Sequence, residues 1–354
     1  CGRLINPKYF VLCTFLLCSA MSFLTGTSFG TASTMGVICM LISNAAGLSP
    51  LLTGGAILSG SFFGDRCSPM SSSAQLICSL TRTDIYLNMK LMCRSSAVPL
   101  ALTCLLYVVL ASGSGAPVDK GLTDLFRANF SLHWSSMLPA VLILVLALLH
   151  VDVKYAMAAS ITAGAAVSLI IQGTSPLVLL RCPFNGYEAE AGTRLAQLLN
   201  GGGIRSMVKV GVIVLISASY SGIFSHTCLL SGIKHALLRS ARRFTPFGTV
   251  LLTSVLSCAV SCNQSLAAIL TCQMCGGLYP QKEKLALALE DTAILIAALI
   301  PWGIAGTVPV AAIGAPMECM FFACYLYLVP VWNLLSALYH DRTRTERTAS
   351  ISSS

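Results

Sequence analysis

The residues that could do chemistry are few and unevenly placed. Thr25-Gly26-Thr27-Ser28-Phe29-Gly30-Thr31 contains Gly-Thr-Ser-Phe-Gly, which fits the Gly-x-Ser-x-Gly nucleophile elbow. An elbow needs a strand before its serine and a helix after it in a soluble sheet. Here about 16 apolar residues precede the loop and a second apolar run follows, so no such sheet is available and an enzyme is not expected. The glycines let the chain reverse tightly and bring backbone groups near a ligand. Thr25, Thr27, Ser28 and Thr31 then supply neutral oxygens. Asp65 stands four positions before Pro69, inside an otherwise apolar run. An acid at the centre of a bilayer costs about 2.5–3.5 kcal/mol on insertion scales and is usually paired, cavity-lining or functional. Burial favours the protonated form of a carboxyl and a bound cation favours the ionised form. Those opposed tendencies suit a group that exchanges a proton for a metal ion. The plainer role for Asp65 is a salt bridge with Arg66 that only holds the helix break. Ser68, Ser71 and Ser72 flank the same proline, and Asn263 and Gln264 occupy a second polar tip, Ser261–Ser265. Glu290 and Asp291 lie ten to eleven residues before Pro301, about 15 Å along a helix, which predicts a place near a membrane interface. A proton path, a gate or a cap on neighbouring backbone are the roles open to them.

These residues belong to a membrane protein. The chain has 354 residues, 55% hydrophobic and only 10% charged, against about 25% charged in soluble domains. Its charges are clustered, with long apolar runs between them, so the fold class is all-α and polytopic. The net charge of +9 then reports topology and does not call for nucleic acid. Most of the 16 cysteines lie inside apolar runs, Cys13, Cys18, Cys39, Cys104 and Cys258 among them, where they act as small hydrophobes. The one Cys-x-x-Cys, Cys272 to Cys275, has no second pair or histidine cluster, so neither a metal centre nor a cofactor is expected.

The apolar runs fall near 9–24, 31–48, 51–64, 96–112, 136–150, 155–172, 207–224, 247–260, 265–279, 285–300, 304–314 and 317–338. A crossing helix needs about 20 residues, and several of these are shorter. The short ones come in pairs interrupted at 25–30, 62–73, 261–265 and 299–306. Thr27 and Pro69 are 42 positions apart, and Asn263 and Pro301 are 38 apart. One arrangement thus occurs twice: a polar tip between two short helices, then a helix broken at a proline. Interrupted segments in corresponding positions are the sequence sign of a secondary transporter with an internal repeat. Glycines 36, 54 and 55 read instead as close helix packing.

Charge sets the expected topology. Lys234, Arg239, Arg242 and Arg243 precede the second hairpin and Lys282 and Lys284 follow it, which places both ends in the cytoplasm and makes the hairpin re-entrant. Arg342, Arg344 and Arg347 of the tail are then cytoplasmic too, and counting spans backward places Arg82, Lys90 and Arg94 inside. The first hairpin opens outward and the second inward, so the repeats are inverted. The expected organisation is an incomplete first repeat, 1–112 (hairpin 8–48, broken helix 51–78, helix 96–112). An external connector, 113–133, leads to the second repeat, 134–338 (hairpin 246–280, broken helix 285–314), and a disordered cytoplasmic tail, 339–354. The second repeat has three spans before its hairpin and the first has none, so about 110 residues and three helices are expected to be missing before Cys1.

At these motifs the sequence resembles the NhaC-type Na+/H+ antiporters of bacteria. The stretches that carry the resemblance are LINPKYF (4–10), TGTSFGTASTMGV (25–37), GGAILSGSFFGDRCSPMSSS (54–73) and LEDTAILIAALIPWGIAG (289–306). It covers roughly 4–336 and is weak between 113 and 205. The resemblance implies two inverted repeats with re-entrant hairpins, a bacterial inner-membrane location, a homodimer, and exchange of Na+ for H+. Some relatives couple these ions to small carboxylates. Asp65 matches the acid of the family's Gly-Asp-x-x-Ser-Pro motif, and Glu290 and Asp291 match its acidic pair. The family commonly has aspartates where Ser72 and Asn263 stand here, and asparagine where Gly303 stands. Fewer acids weaken a Na+ site and suit either 1:1 electroneutral exchange or a small organic anion.

The expected function is Na+/H+ antiport by alternating access, with Asp65 binding Na+ and H+ in turn. Antiport of a small carboxylate or amino acid is the alternative within the class. A truncated membrane protein that transports nothing is the alternative outside it. The expected partners are the lipid bilayer and the transported ions or anion.

Overall fold

The computed structural model describes residues 7–112, 134–149, 151, 153–186, isolated positions between 203 and 219, and 245–352. Every element among the described residues is a helix. The longer helices, in chain order, are α1 (Pro7–Thr25), α2 (Ser28–Ala45), α3 (Pro50–Cys67), α4 (Ser72–Thr81), α5 (Ile85–Ser112), α6 (Leu138–Leu148), α7 (Val153–Ile170) and α8 (Pro176–Asn185). They continue with α9 (Pro246–Ser261), α10 (Gln264–Cys275), α11 (Lys282–Leu299), α12 (Ile304–Ala312) and α13 (Cys324–Ser352). The expected span 207–224 and connector 113–133 lie largely outside the described residues.

The helix starts follow from local chemistry. Ser49 before Pro50 and Thr245 before Pro246 each place a hydroxyl on the orphan amides of the first turn, accepting from Leu52 N at 3.5 Å and Gly248 N at 3.1 Å. Thr27 caps α2 by accepting from Gly30 N at 3.2 Å. Asn263 caps α10 through Oδ1, which accepts from Ser265 N at 2.9 Å. α5 starts at Ile85, earlier than the apolar run at 96, because Asp84 Oδ1 accepts from Leu87 N at 2.9 Å and nucleates a polar first half. α8 was not expected as a separate element. The polar tail expected to be disordered is helical as far as Ser352. Extending a helix already formed adds one hydrogen bond per residue without a new nucleus.

Both broken helices are interrupted where the polar residues predict. α3 ends at Cys67 and α4 begins at Ser72, with Ser68 and Ser71 in extended conformation between them. α11 and α12 are bent by 56° across Ile300–Gly303. Among the described residues α2 and α5 are each long and apolar enough to cross a membrane, and the bent α11–α12 pair makes a third candidate. α1, α7, α9 and the apolar part of α13 are shorter apolar helices.

Close packing explains the glycines of α3. A Cβ on Gly60 would lie 2.5 Å from Phe15 O, and one on Gly64 would lie 2.4 Å from Phe23 N, so α1 and α3 meet backbone to backbone. On another face Gly54 meets Cys319 and Gly55 meets the backbone of Phe322. Gly36 of α2 meets Ile57. This is the small-residue packing expected for 36, 54 and 55. The segments beyond the breaks exchange sides. Ile77 of α4 packs with Ala268 of α10 and Ala286 and Leu289 of α11. Ile313, just past α12, packs with Ala32, Met35 and Cys39 of α2.

Gly64→Val should lower the unfolding temperature in detergent sharply, since overpacking costs about 1–3 kcal/mol even where neighbours can yield, and here they are backbone. Gly276→Ala, with nothing within 4 Å, should melt like the parent. Equal melting of the two variants would show that α1 and α3 are not held at this distance.

Candidate functional site

The first tip and the first break meet. Gly26 turns the chain with φ +66, a conformation that disfavours a side chain, and its missing Cβ would lie 2.7 Å from the carbonyl carbon of Met70. This approach brings Ser28 to Asp65, and Ser28 Oγ donates to Asp65 Oδ2 at 3.1 Å. Asp65 is only 5% exposed, and its Oδ1 has no hydrogen-bond partner among the described residues. Thr31 is fully buried and pairs with Thr25, their hydroxyl oxygens 3.3 Å apart. Ser68 Oγ accepts from Met70 N at 3.2 Å, and Ser71 Oγ accepts from Ala74 N at 3.3 Å. Thr25, Thr27, Ser28, Thr31, Ser68 and Ser71 therefore gather around the tip and break that hold Asp65. Ser72 does not join them. It is exposed on the first turn of α4, and buried Ser73 takes the contact with Ser71 at 2.8 Å.

The second tip serves the second break. Cys262 adopts a left-handed conformation with φ 54, and its carbonyl accepts from Ile304 N at 2.9 Å, capping the start of α12. Gln264 Nε2 donates to Ile294 O at 3.1 Å. Asn263 and Gln264 thus spend their polar atoms on α10 and α11 rather than on the Asp65 cluster.

The plainer role open to Asp65 was a salt bridge with Arg66, and the structure pairs Arg66 elsewhere. Successive helix residues point about 100° apart, so neighbours on one turn cannot face each other. Arg66 is fully buried and pairs with Asp291 of α11. Its Nη1 donates to Ser96 Oγ at 2.8 Å and to Tyr325 OH at 3.0 Å, and Nη2 donates to Ser95 Oγ at 3.0 Å. Asp291 Oδ1 also accepts from Ser95 at 3.3 Å, and Oδ2 accepts from Asn333 Nδ2 at 2.9 Å. One ion pair therefore ties the first broken helix to the second, with α5 and α13 completing its shell.

Glu290 and Asp291 were expected near an interface. Both are buried, at 1% and 2% exposure, because α4, α9, α10 and α13 pack against α11 at this level. They open a π-helical stretch, Glu290–Ile294, a local widening common at functional sites. Neither carboxyl oxygen of Glu290 has a hydrogen-bond partner among the described residues. A cavity of about 420 Å³ reaches Asp291, and Asn333, Thr245, Tyr279 and exposed Lys284 also line it. Sequence reasoning missed Arg66 as a partner of Asp291, and with it Ser95, Ser96, Tyr325 and Asn333. The available signal was polarity inside apolar runs: Ser95-Ser96 beside Arg94, and Asn333 between Trp332 and Leu334.

A buried carboxylate at the break of one apolar helix, and two more along a second broken helix with a cavity reaching one of them, define a polytopic membrane protein built around interrupted helices. The chain belongs to the Na+/H+ antiporter family, whose profile matches residues 2–84 and 60–332. It is 24% identical to the Na+/H+ antiporter NhaC of Alkalihalophilus pseudofirmus, over 94% of this chain and 74% of that protein. It is 28% identical to the malate-2H+/Na+-lactate antiporter of Bacillus subtilis, over 84% of this chain and 66% of that protein. It is 26% identical to the arginine/ornithine antiporter ArcD of Halobacterium salinarum, over 88% of this chain and 67% of that protein. The family is one of transporters, and a helix, α1, leads directly into the tip that holds Ser28, where a nucleophile elbow would need a strand.

Removing one partner of a buried ion pair costs about 3–5 kcal/mol, while replacing both by apolar groups is often neutral. Arg66→Met should therefore melt far below the parent, and Arg66→Met with Asp291→Leu should recover most of the loss. A double variant no better than the single one would show that the two charges do not compensate each other.

Proposed function

We propose that this chain performs secondary active Na+/H+ exchange by alternating access, with Asp65 as the carboxylate that holds Na+ and H+ in turn. The observation that carries this reading is the state of Asp65. It is buried where the first tip meets the first break, with one oxygen held by Ser28 and the other unpartnered. A small cation there would find Oδ1 together with the neutral oxygens of Ser28, Thr31 and the opened backbone. Irregular backbone at membrane depth is tolerated where it lines such a site. The family and the NhaC relatives support the same ions. Glu290, with two unpartnered oxygens, is the further proton-carrying candidate in this scheme.

The same reading treats 1–112 and 134–338 as inverted repeats with re-entrant hairpins. The reciprocal packing of Ile77 and Ile313 across the halves supports it. A multi-pass protein of the bacterial inner membrane with a cytoplasmic C-terminus fits the charge distribution. The homodimer remains an expectation of the family resemblance.

In proteoliposomes with an imposed Na+ gradient, an internal pH dye should report a Na+-dependent pH change. Asp65→Asn should abolish it while the protein still inserts. Exchange retained in that variant would remove Asp65 from the ion path.

One observation favours a second reading. The cavity is far larger than Na+ requires and carries Lys284 and Asn333, which suit a carboxylate. The malate/lactate relative points the same way. That reading predicts Na+-dependent uptake of radiolabelled malate or lactate into the same vesicles, and uptake that ignores the Na+ gradient would discard it.

A further inference from the structure

We propose that the Arg66–Asp291 pair is the gate that separates the cavity beside Lys284 from the buried Asp65. The inference rests on Asp65 being the ion-binding carboxylate.

The two oxygens of Asp291 face different surroundings. Oδ2 accepts from Asn333, and Asn333 lines the cavity. Oδ1 takes Arg66 and Ser95, and neither of these lines the cavity. Asp291 therefore forms the inner wall, with the guanidinium directly behind it. Arg66 is fully buried and is covalently next to Asp65, whose free oxygen is closed off from solvent. The guanidinium closes the wall well because it is planar and saturates several partners at once. It holds Ser95, Ser96, Tyr325 and Asp291 together, and Tyr325 OH and Ser96 Oγ are themselves 2.9 Å apart.

The position of Arg66 also explains how such a gate would respond to its cargo. Asp65 and Arg66 share the last turn of α3, immediately before the non-helical residues 68–71. Neighbours on one helical turn move as a unit, and the break beyond them is where the backbone turns most freely. A rotation of this helix end that accommodates an ion at Asp65 displaces the guanidinium at the same time. Asp291 sits on a π-helical turn, whose looser bonding lets it follow. Loading of Asp65 and opening of the wall become one movement. A rigid strut would instead keep Arg66 and Asp291 in contact whatever occupied Asp65.

The test reads access, with no ion gradient involved. Ser28→Cys places a thiol at Asp65, behind the pair. A membrane-impermeant maleimide is added to the face from which Lys284→Cys reacts, and modification of the introduced cysteine is followed by peptide mass spectrometry in the full chain. With the pair intact, position 28 should react at least tenfold more slowly than in an Asp291→Asn background. The exchanged pair, Arg66→Asp with Asp291→Arg, should slow it again. Asn333→Ala, which removes the amide on Oδ2 but leaves the charges, should give an intermediate rate and serves if Asp291→Asn does not insert. Lys284→Cys should react equally in every background. Equal rates at position 28 with and without the pair would overturn the gate. That result is separate from a failure of Na+/H+ exchange in the Asp65→Asn comparison, because access can be gated whatever solute is carried.

Discussion

The arrangement of this protein depends on one buried charge finding its counter-charge. Arg66 has no contact with solvent, and an isolated guanidinium at that depth is not sustainable. Asp291 supplies the charge, and Ser95, Ser96 and Tyr325 supply hydrogen-bond partners. Meeting these needs fixes the relative height of four helices, α3, α5, α11 and α13. The glycines of α3 act with it, since Gly60 and Gly64 press that helix against α1 while Gly54 and Gly55 admit Cys319 and Phe322. Close approach on two faces and an ion pair at the end leave α3 little freedom to slide.

The breaks are stabilised by the same requirement that polar groups be met. Every interruption of a helix frees backbone donors and acceptors that the hydrocarbon cannot serve. In the second half the tip answers directly, as the Cys262 carbonyl accepts the Ile304 amide and Gln264 donates to Ile294 O. In the first half Ser68 and Ser71 satisfy the break from within, and the tip offers Ser28 to Asp65. Against this background of satisfied groups, the bare oxygens of Asp65 and Glu290 stand out. Buried hydroxyls of Thr14, Ser61 and Ser257, Arg66 Nε and Asn88 Oδ1 are also unpartnered among the described residues, but Asp65 and Glu290 are the carboxyls among them.

Much of this was legible in the sequence because it is local. Glycines 36, 54 and 55 mark packed faces, and prolines 69 and 301 mark the two breaks. Asp65 was recognisable because an acid in an apolar run has few inexpensive explanations. Its companion was not. The pairing of Arg66 with Asp291 joins residues 225 positions apart, and no local pattern specifies it. Adjacency in sequence suggested Asp65 instead, and helix geometry forbids that contact. For Glu290 and Asp291, about 15 Å from a proline fixes a height on one helix and says nothing about the neighbours that bury them. Ser72 lies outside the cluster for a simpler reason, since one residue along α4 decides between the interior and the surface.

The pairing also bears on the charge that a transport cycle can move. Among the described residues three buried acids, Asp65, Glu290 and Asp291, accompany one buried base, Arg66. Arg66 neutralises Asp291, so that carboxylate has no charge to offer a cation while the wall is closed. Ser72 and Asn263 contribute no charge either, and the first is on the surface while the second is spent as a helix cap. What remains at the first break is a single acid with one open oxygen. One carboxylate that carries either Na+ or H+ presents the same net charge in both states, so the two steps of such a cycle move equal charge in opposite directions. Glu290, buried with both oxygens unpartnered among the described residues, is the other acid that such a count must include, since Arg66 removes only Asp291 from it.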